Sequence, residues 1–320
     1  MSHIQINIKS FEDLIRCVHL SSHLELFGWP KIGNVHRTRN FKNTKYEHFL
    51  AGIVAIQPNF ISLIDRVIES VKNIEDDLSF IRLGLFFKNA AEDMMNWQSG
   101  GNVILGHILI LAPLASAAAI SIKLGFTSIK EFKMVVEKVI NDATLEDTIN
   151  LYEAIRICNP GGLGNITKYD VYNNQSIKQL KEDNIRLKEI FQFSMHYDLI
   201  SQEYVSGFEI IINEGLPYFF EMFNKTKDLN ISIVNTYLKL LSVHLDTLII
   251  RKADKKSAIY ISNLALKILK HNGILTKKGL KLALKYDEKI QKENGRLNPG
   301  TTADLIAGII FCALIFGLKI

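Results

Sequence analysis

The stretch Val103–Ile122, VILGHILILAPLASAAAISI, decides the fold of this chain. It runs for twenty residues without Asp, Glu, Lys or Arg, a length that would cross a bilayer. Its small residues, Ala115–Ala119, would equally let neighbouring helices approach closely inside a large soluble bundle. The other helical segments are amphipathic, which a lone span would not require. We therefore predict a buried central helix, and a membrane span is the alternative.

Helical signals surround this stretch on both sides. Ser10 precedes a run of apolar residues with helical spacing. Capping-box patterns stand at Thr44–Glu47, Ser128–Glu131 and Thr144–Asp147. Sustained two-residue alternation, the mark of strands, is nearly absent. The pattern predicts an all-α protein, a single large multi-helix bundle with buried central apolar helices.

The chain shows no repeat and no Pro/Ser-rich linker. Leu305–Leu318 is apolar but too short to span a membrane, and it suits a buried terminal helix. The stretch at 169–186 is polar and could be a surface loop, a flap or a domain seam. We predict one domain over residues 1–320 with this stretch as an excursion.

Composition limits the classes of function. The chain has 320 residues, of which 48% are hydrophobic and 22% charged, as in a globular protein. Lys and Arg number 38 and Asp and Glu 33, so the net charge is 38 − 33 = +5. This excess fits a phosphorylated substrate but is too mild for a dedicated nucleic-acid binder. We predict partners that are neither nucleic acid nor membrane.

Cysteine usage and the N-terminus indicate the compartment. Cys17, Cys158 and Cys312 lie far apart in apolar runs, and their odd number excludes complete internal pairing. Charged residues at Glu12, Asp13 and Arg16 interrupt any apolar leader segment. We predict buried thiols, a reducing compartment and a cytoplasmic protein.

Five junctions between helices carry the chemistry. The first is Lys31–Arg39, where cations, a glycine and an asparagine could bind phosphate oxygens. Gln98–Asn102 and Asn159–Asn165 are rich in glycine and could bring backbone N–H groups close to an anion. The last two are His244–Thr247, followed by Arg251, and Asn298–Asp304; each holds an aspartate beside an apolar helix.

Each junction also has a purely structural interpretation. The first could be a solvated basic loop, and the glycine-rich pair could be ordinary turns. Asp246 could form an ion pair with Arg251, and Asp304 could simply favour the start of its helix. His107, alone on an apolar helix, is more often a hydrogen-bonded core residue than a catalyst.

Taken together, the junctions suit a nucleotide polyphosphate with a divalent ion. We predict that Asp246 and Asp304 hold Mg²⁺ against the phosphates of this nucleotide, and Asp246, Asp304 and His36 are the candidate catalytic residues. The predicted substrate-binding residues are Lys31, Gly33, Asn34, Arg37, Gly100, Gly101, Asn102, Gly161, Gly162, Arg251, Thr301 and Thr302. No Cys/His cluster has zinc spacing, and no GxSxG motif is present.

Three of these motifs resemble the triphosphoribosyl-dephospho-CoA synthase family. They are Asn298-Pro-Gly-Thr-Thr-Ala-Asp304-Leu, Leu241-Ser-Val-His-Leu-Asp246-Thr and Lys31-x-Gly-Asn-Val-His-Arg37. The Gln98–Asn102 and Asn159–Gly164 loops are similar to those of its archaeal branch. The likeness runs from about residue 10 to the C-terminus, and the closing Pro-Gly-x-x-Ala-Asp motif is its most specific part.

The resemblance implies an all-helical fold and a reaction between ATP and 3′-dephospho-CoA. The triphosphoribosyl group of ATP would pass to a ribose hydroxyl, and adenine would be released. Lys31, His36 and Arg37 would hold phosphates, and Asn34 and Asn102 would orient the sugar or base. Asp246 and Asp304 would hold Mg²⁺ or act as the base. Glu47 and Glu209 are weaker candidates.

The chain also departs from the family pattern. Ile32 stands where the family usually has proline, and the segment Asn102–Gly106 has lost the polar middle found in bacterial members. A related transferase with a different acceptor therefore stays open, as does a non-catalytic nucleotide-binding protein. The apolar helices are compatible with a homodimer, although the sequence does not fix the oligomeric state.

Overall fold

The structure is a computed structural model and describes residues 5–162 and 168–320. In these two ranges the chain forms helices and no strand, which confirms the predicted all-α class. The first half contains α1 (Phe11–Phe27), α2 (Tyr46–Ala55), α3 (Gln57–Ser70), α4 (Leu83–Trp97), α5 (Leu105–Leu124), α6 (Ile129–Asp142) and α7 (Leu145–Cys158). The second half contains α8 (Ser176–Glu182), α9 (Leu187–Ser194), α10 (Leu199–Ser206), α11 (Leu216–Thr226), α12 (Leu229–Val243), α13 (Thr247–Lys252), α14 (Lys255–Leu269), α15 (Lys277–Gln291) and α16 (Gly300–Ile315). Short 3₁₀ turns lie at Leu78–Ile81 and Gly273–Leu275, and a π-helical turn at Ile210–Gly215 leads into α11.

Helix α5 is the central helix that the sequence predicts. In the most apolar stretch of 18 residues within α5, 89% of the stretch is buried among the other helices. The segment Tyr46–Ser70, which consists of α2 and α3, is also long and apolar enough to span a membrane. Its most apolar stretch of 18 residues is 44% buried. Two such helices are weak support for a membrane protein, because the core helix of a soluble bundle passes the same test. Helix α16, buried over almost its whole length, packs against α5 and α1.

A proline inside α5 is compensated by a neighbouring helix. Pro113 has no backbone N–H, so the carbonyl of Leu109, one turn earlier, loses its helical partner. The hydroxyl of Tyr204 on α10 donates to that carbonyl at 2.6 Å. Tyr204 is fully buried, and this bond fixes α10 against the middle of α5.

Helix starts follow the capping signals at three of the four predicted positions. The hydroxyl of Ser10 accepts from Asp13 at the start of α1, and Ser128 and Thr144 form complete capping boxes at α6 and α7. The prediction for Thr44 is wrong. Helix α2 begins at Tyr46 after Lys45, and the Thr44 hydroxyl donates instead to the carbonyl of Gly100 at 2.9 Å.

The polar excursion at 169–186 contains α8 and is tied to α7. The hydroxyl of Tyr152 donates to the carbonyl of Tyr169 at 2.6 Å, and Arg156 donates to the carbonyl of Val171 at 2.7 Å. The three cysteines are free and buried, as predicted. Burial raises the pKa of Cys17 to about 11 and that of Cys158 to about 12.

Candidate active site

One cavity of about 720 Å³ collects residues from all five predicted junctions. The predicted residues that line it are Asn34, Gly101, Asn102, Gly161, Gly162, Arg251, Thr301 and Asp304. These positions lie up to 270 residues apart in the chain (304 − 34 = 270), and α1, α5, α7, α9, α13 and α16 bring them together. The cavity has three chemically different parts, namely an acidic floor, an apolar wall and a basic mouth.

The acidic floor consists of Glu25, His107 and Asp304. The Nε2 atom of His107 lies 3.7 Å from Oε2 of Glu25 and 3.6 Å from Oδ1 of Asp304. Burial lowers the pKa of His107 to about 3, so its ring is neutral. The Nδ1 atom of His107 is buried without a hydrogen-bond partner among the described residues. Two carboxyl groups therefore meet at one uncharged imidazole.

Asp304 is the member of the floor that reaches the cavity most directly. Its side chain is 21% exposed, against 4% for Glu25 and for His107. Burial and the nearby carboxylates of Glu25 and Asp246 raise its pKa well above the usual range. Gly106 of α5 permits this close approach, because a methyl group there would overlap the Asp304 carboxyl group. The protonated form of this carboxyl group is therefore favoured more than that of an exposed aspartate.

Lys31 neutralises the floor and does not face the cavity. Its ammonium group forms an ion pair with Glu25, and both side chains are almost completely buried. Burial nevertheless raises the pKa of Glu25, and Lys31 opposes that rise. This placement is at odds with the predicted role of Lys31 in phosphate binding, because its charge is already engaged inside the protein.

The rest of the first junction also turns inward. The backbone N–H of Gly33 donates to Oδ1 of Asp287 at 2.9 Å, and Nε2 of His36 lies 3.0 Å from Oδ2. His36 is completely buried, so it has a structural role and not the predicted catalytic one. The guanidinium of Arg37 stacks over Phe27 at 4.3 Å and does not line the cavity.

Asp246 holds two helices together and does not face the cavity. Its Oδ1 accepts from the backbone N–H groups of Leu248 and Ile249 at the start of α13. Its Oδ2 accepts from the backbone N–H of Thr302 at 2.7 Å and from the Thr302 hydroxyl at 2.8 Å, at the start of α16. Burial raises its pKa, and the bonds from Thr302 oppose that rise. Asp246 and Thr302 therefore do not fit the predicted catalytic, metal and phosphate roles.

The basic mouth lies at the end of α13. Arg251 donates to Oδ1 of Asp198 at 2.7 Å, and its Nε is buried without a partner among the described residues. Lys252 follows and lines the same cavity, as does Lys168. Partial burial and the charge of Arg251 lower the pKa of Lys252. Such adjacent cations favour an anionic ligand.

The apolar wall is formed by α7, α9 and the segment between α9 and α10. Its aromatic members that face the cavity are Tyr152, Phe191, Phe193 and Tyr197. Phe193 is 52% exposed and Tyr197 48% exposed. Aromatic faces at the edge of a cavity suit the stacking of a nucleobase.

The glycine-rich junctions form the rim. The Asn102 side chain accepts from the backbone N–H of Leu105 at 3.2 Å, which orders the entrance to α5. Gly100 is packed against His48 and does not line the cavity, unlike Gly101. Gly162, at a φ of 83°, packs against the backbone of Arg251. Gly164 and Asn165 of the third junction lie outside the described residues.

The remaining candidates divide in the same way. Thr301 lines the cavity, and its Oγ1 accepts a hydrogen bond from the Thr247 hydroxyl at 3.2 Å. Glu47 is exposed, and Glu209 forms an ion pair with Lys133; neither lines the cavity. Within 5–162 and 168–320, no group of three His, Cys, Asp or Glu side chains could hold a metal ion.

Sequence reasoning missed Glu25, Asp198 and Lys252 and judged His107 to be a core residue. Glu25 carried a usable signal, because it continues the buried face of α1 that runs through Leu14 and Val18. A carboxylate on such a face is costly unless it has a partner. Asp198 and Lys252 gave no such signal, since a helix-capping aspartate and an exposed lysine are common.

Comparison with known proteins agrees with the resemblance. The family profile described as "CitG: ATP:dephospho-CoA triphosphoribosyl transferase" matches residues 11–319. A 2-(5''-triphosphoribosyl)-3'-dephosphocoenzyme-A synthase of Escherichia fergusonii is 30% identical over 115 residues, which cover 35% of this chain and 37% of that protein. Its counterpart from Klebsiella pneumoniae is 28% identical over 102 residues, 32% of this chain and 33% of that protein. The alignments thus span about a third of these relatives.

A solved structure is similar over a greater length. The crystal structure of a proposed triphosphoribosyl-dephospho-CoA synthase from Archaeoglobus fulgidus matches with a TM-score of 0.63 and 25% sequence identity. The match covers 84% of this chain and 100% of that one. Because the family profile extends over nearly the whole chain, this protein belongs to the CitG family of ATP:dephospho-CoA triphosphoribosyl transferases.

Proposed function

We propose that this protein transfers the triphosphoribosyl group of ATP to a hydroxyl of 3′-dephospho-CoA and releases adenine. The observation that carries the proposal is the cavity in which the acidic floor, the apolar wall and the basic mouth meet. The names of the relatives and the family profile support the same reaction. The predicted use of ATP and dephospho-CoA as substrates is part of this proposal.

The acidic floor suits the proton transfers of the reaction. An O–C bond forms at the anomeric carbon of ATP, and the N-glycosidic bond to adenine breaks. The acceptor hydroxyl loses one proton and the leaving adenine gains one, so no net proton is consumed. Asp304, with its part-exposed carboxyl group and raised pKa, is the floor residue placed to exchange a proton with a substrate. Glu25 and His107 act behind it as positioning residues.

The basic mouth would stabilise the charge of the triphosphate, and the apolar wall would bind a nucleobase. The triphosphate would lie towards Arg251 and Lys252, and a nucleobase would stack on Phe193 and Tyr197. A positive charge developing on the transferred ribose would face the carboxyl groups of the floor. Asn34, Gly101, Asn102 and Thr301 would orient the sugars.

The predicted Mg²⁺ site does not fit in its original form. Asp246 and Asp304 do not face the same space, and both oxygens of Asp246 already accept hydrogen bonds within the protein. We propose instead that Mg²⁺ enters bound to the triphosphate of ATP, as Mg²⁺ commonly keeps water and phosphate ligands. Titrating the ion against ATP will show whether activity follows the MgATP concentration.

Adenine release tests the reaction directly. Purified protein is incubated with ATP, Mg²⁺ and 3′-dephospho-CoA, each omitted in turn, and free adenine is followed by chromatography. We expect adenine only in the complete mixture. Adenine without dephospho-CoA would indicate hydrolysis or another acceptor. No adenine under any condition, together with nucleotide binding, would leave a non-catalytic binding protein.

A different acceptor is the second candidate, and one observation favours it. The segment Asn102–Gly106 presents Val103 and Leu105 to the cavity, where bacterial members have polar residues. An apolar surface at this point would accept a less polar group than a ribose hydroxyl surrounded by phosphates. A panel of nucleoside and sugar alcohols in the adenine assay separates the two candidates.

We also propose that the protein is cytoplasmic and does not bind membranes. The burial of α5 supports this, since a membrane-spanning helix would expose its apolar side chains. The protein should stay in the supernatant when a salt-washed membrane fraction is pelleted. Light scattering on the purified chain will decide whether it forms the homodimer that the sequence leaves open.

A further inference from the structure

A shallow pocket of about 400 Å³ adjoins the mouth of the cavity. Three of the residues that line it, Phe41, Thr44 and Lys252, also line the main cavity. The others are Asn43, Asn294, Gly295 and Arg296. The loop before α2 and the loop after α15 are joined here, because the side chain of Asn294 accepts from the backbone N–H of Lys42 at 2.7 Å. The two spaces are therefore adjacent and share part of their lining.

The pocket is positively charged. Lys252 has no hydrogen-bond or ion-pair partner among the residues that the structure describes. Arg296 is paired only with Glu293, in a surface pair whose side chains are 51% and 41% exposed. The neighbouring segment 37–45 contains two arginines and two lysines and no acidic residue. An exposed ion pair of this kind contributes little to stability, so Arg296 can exchange Glu293 for a more highly charged anion.

The size of the main cavity requires such an extension. A cavity of about 720 Å³ holds one drug-sized ligand. The proposed reaction needs two nucleotides in contact, and one of them carries a pantetheine arm. We therefore expect part of one substrate to lie outside the main cavity. Arg251 and Lys252 line the main cavity at the basic mouth, and their charges favour placing phosphates at that end.

We propose that the pocket at Lys252 and Arg296 is a polyphosphate subsite, into which the phosphate groups of one substrate extend past Thr44. The ligand chemistry is a di- or triphosphate ester, from either ATP or dephospho-CoA. The choice of these two sources rests on the proposed function, but the affinity of the pocket for polyphosphate does not. Lys252 supplies charge at the junction of the two spaces, and Arg296 can bind a phosphate bidentately at the outer end.

The first test measures binding and does not need activity. The affinity of the whole protein for inorganic tripolyphosphate is determined by calorimetry for the wild type and for the double variant Lys252→Gln/Arg296→Gln. We expect the double variant to bind about tenfold more weakly or worse, since charge-assisted hydrogen bonds are lost. The matched control is Lys278→Gln/Arg16→Gln, because Lys278 is exposed on α15 and Arg16 forms an equivalent surface pair with Asp13. Equal affinities in all three proteins would overturn the proposal.

The second test identifies the substrate. KM is measured for ATP at saturating dephospho-CoA and for dephospho-CoA at saturating ATP. We expect about a tenfold rise in one KM of the double variant and a smaller change in the other. A rise for ATP identifies the triphosphate, and a rise for dephospho-CoA identifies its diphosphate. Unchanged values for both would overturn the subsite. If the wild type releases no adenine but the double variant binds tripolyphosphate more weakly than the wild type, the proposed function is overturned and the subsite is not.

Discussion

Two aspartates that look alike in sequence have different tasks in the structure. Asp246 and Asp304 each stand beside an apolar helix, and nothing in the local sequence separates them. Asp246 is fully buried and spends both oxygens on the starts of α13 and α16. Asp304 lies in the first turn of α16, where its carboxyl group reaches the cavity. The sequence could predict both aspartates as site candidates, but only their tertiary contacts show which one reaches the cavity.

Replacing Asp304 tests the acidic floor. We expect Asp304→Asn to lower kcat for adenine release by at least a hundredfold, because an amide cannot exchange the proton. The variant should be as stable as the wild type or more so, since a buried carboxyl group among acidic neighbours is removed. Thermal unfolding and adenine release are measured on the same preparation. A turnover within threefold of the wild type would contradict the assignment.

Replacing Asp246 should mainly affect stability. Asp246→Ala leaves the N–H groups of two helix starts without their acceptor, and we expect a loss of about 2–4 kcal/mol in the free energy of unfolding. Asp254→Ala is the matched control, because Asp254 caps α14 alone and is exposed. That variant should lose about 1 kcal/mol. Equal losses in urea titrations would show that the link between α13 and α16 contributes nothing.

At the scale of helices, the local signals succeed where a short side chain can reach the first turn. Ser10, Ser128 and Thr144 cap their helices as their spacing predicts. Thr44 does not cap a helix, because its hydroxyl donates to the carbonyl of Gly100 and α2 starts two residues later. The uncharged apolar run located the central helix, but the local sequence did not identify its partner across the bundle.

The contact between α5 and α10 offers a test of one such partner. We expect Tyr204→Phe to destabilise the protein by about 1–2 kcal/mol, because the buried carbonyl of Leu109 is left without a donor. In a Pro113→Ala background the restored N–H of residue 113 can reach that carbonyl, so the same change should cost close to nothing. A double-mutant cycle by chemical denaturation measures the coupling. Additive effects would refute the compensation.

At the scale of the whole molecule, the fold class was predictable and the composition of the site was only partly so. Five junctions were singled out because glycine, asparagine and charge interrupt the helical pattern, and each sends at least one residue to the cavity. The first junction nevertheless turns most of its charge inward, since Glu25 and Asp287 are available there as partners. The helical pattern can mark a carboxylate such as Glu25 as buried, but it does not identify the residue that pairs with it.

Global stability should fall in acid through a half-buried histidine, His19. Burial and the nearby His23 lower the pKa of His19 to about 4, so the unfolded chain takes up a proton at higher pH than the folded one. The stability that neutral His19 contributes is complete above about pH 6.5 and is lost as the pH falls towards 4. Relative to His19→Leu, the wild type should lose at most about 1.4 kcal/mol per pH unit in this window. Urea titrations at several pH values measure the difference, and a constant difference would contradict the assignment.

The bond from Tyr204 to the turn before Pro113 has an evolutionary consequence. Pro113 and Tyr204 depend on each other. The proline leaves the Leu109 carbonyl without a donor, and the buried tyrosine hydroxyl needs that carbonyl as its acceptor. Lineages that replaced the proline would lose the selection that keeps tyrosine, and phenylalanine would drift in at no cost. Across an alignment of homologues the two positions should therefore change together, and ancestors should show the tyrosine arising no later than the proline.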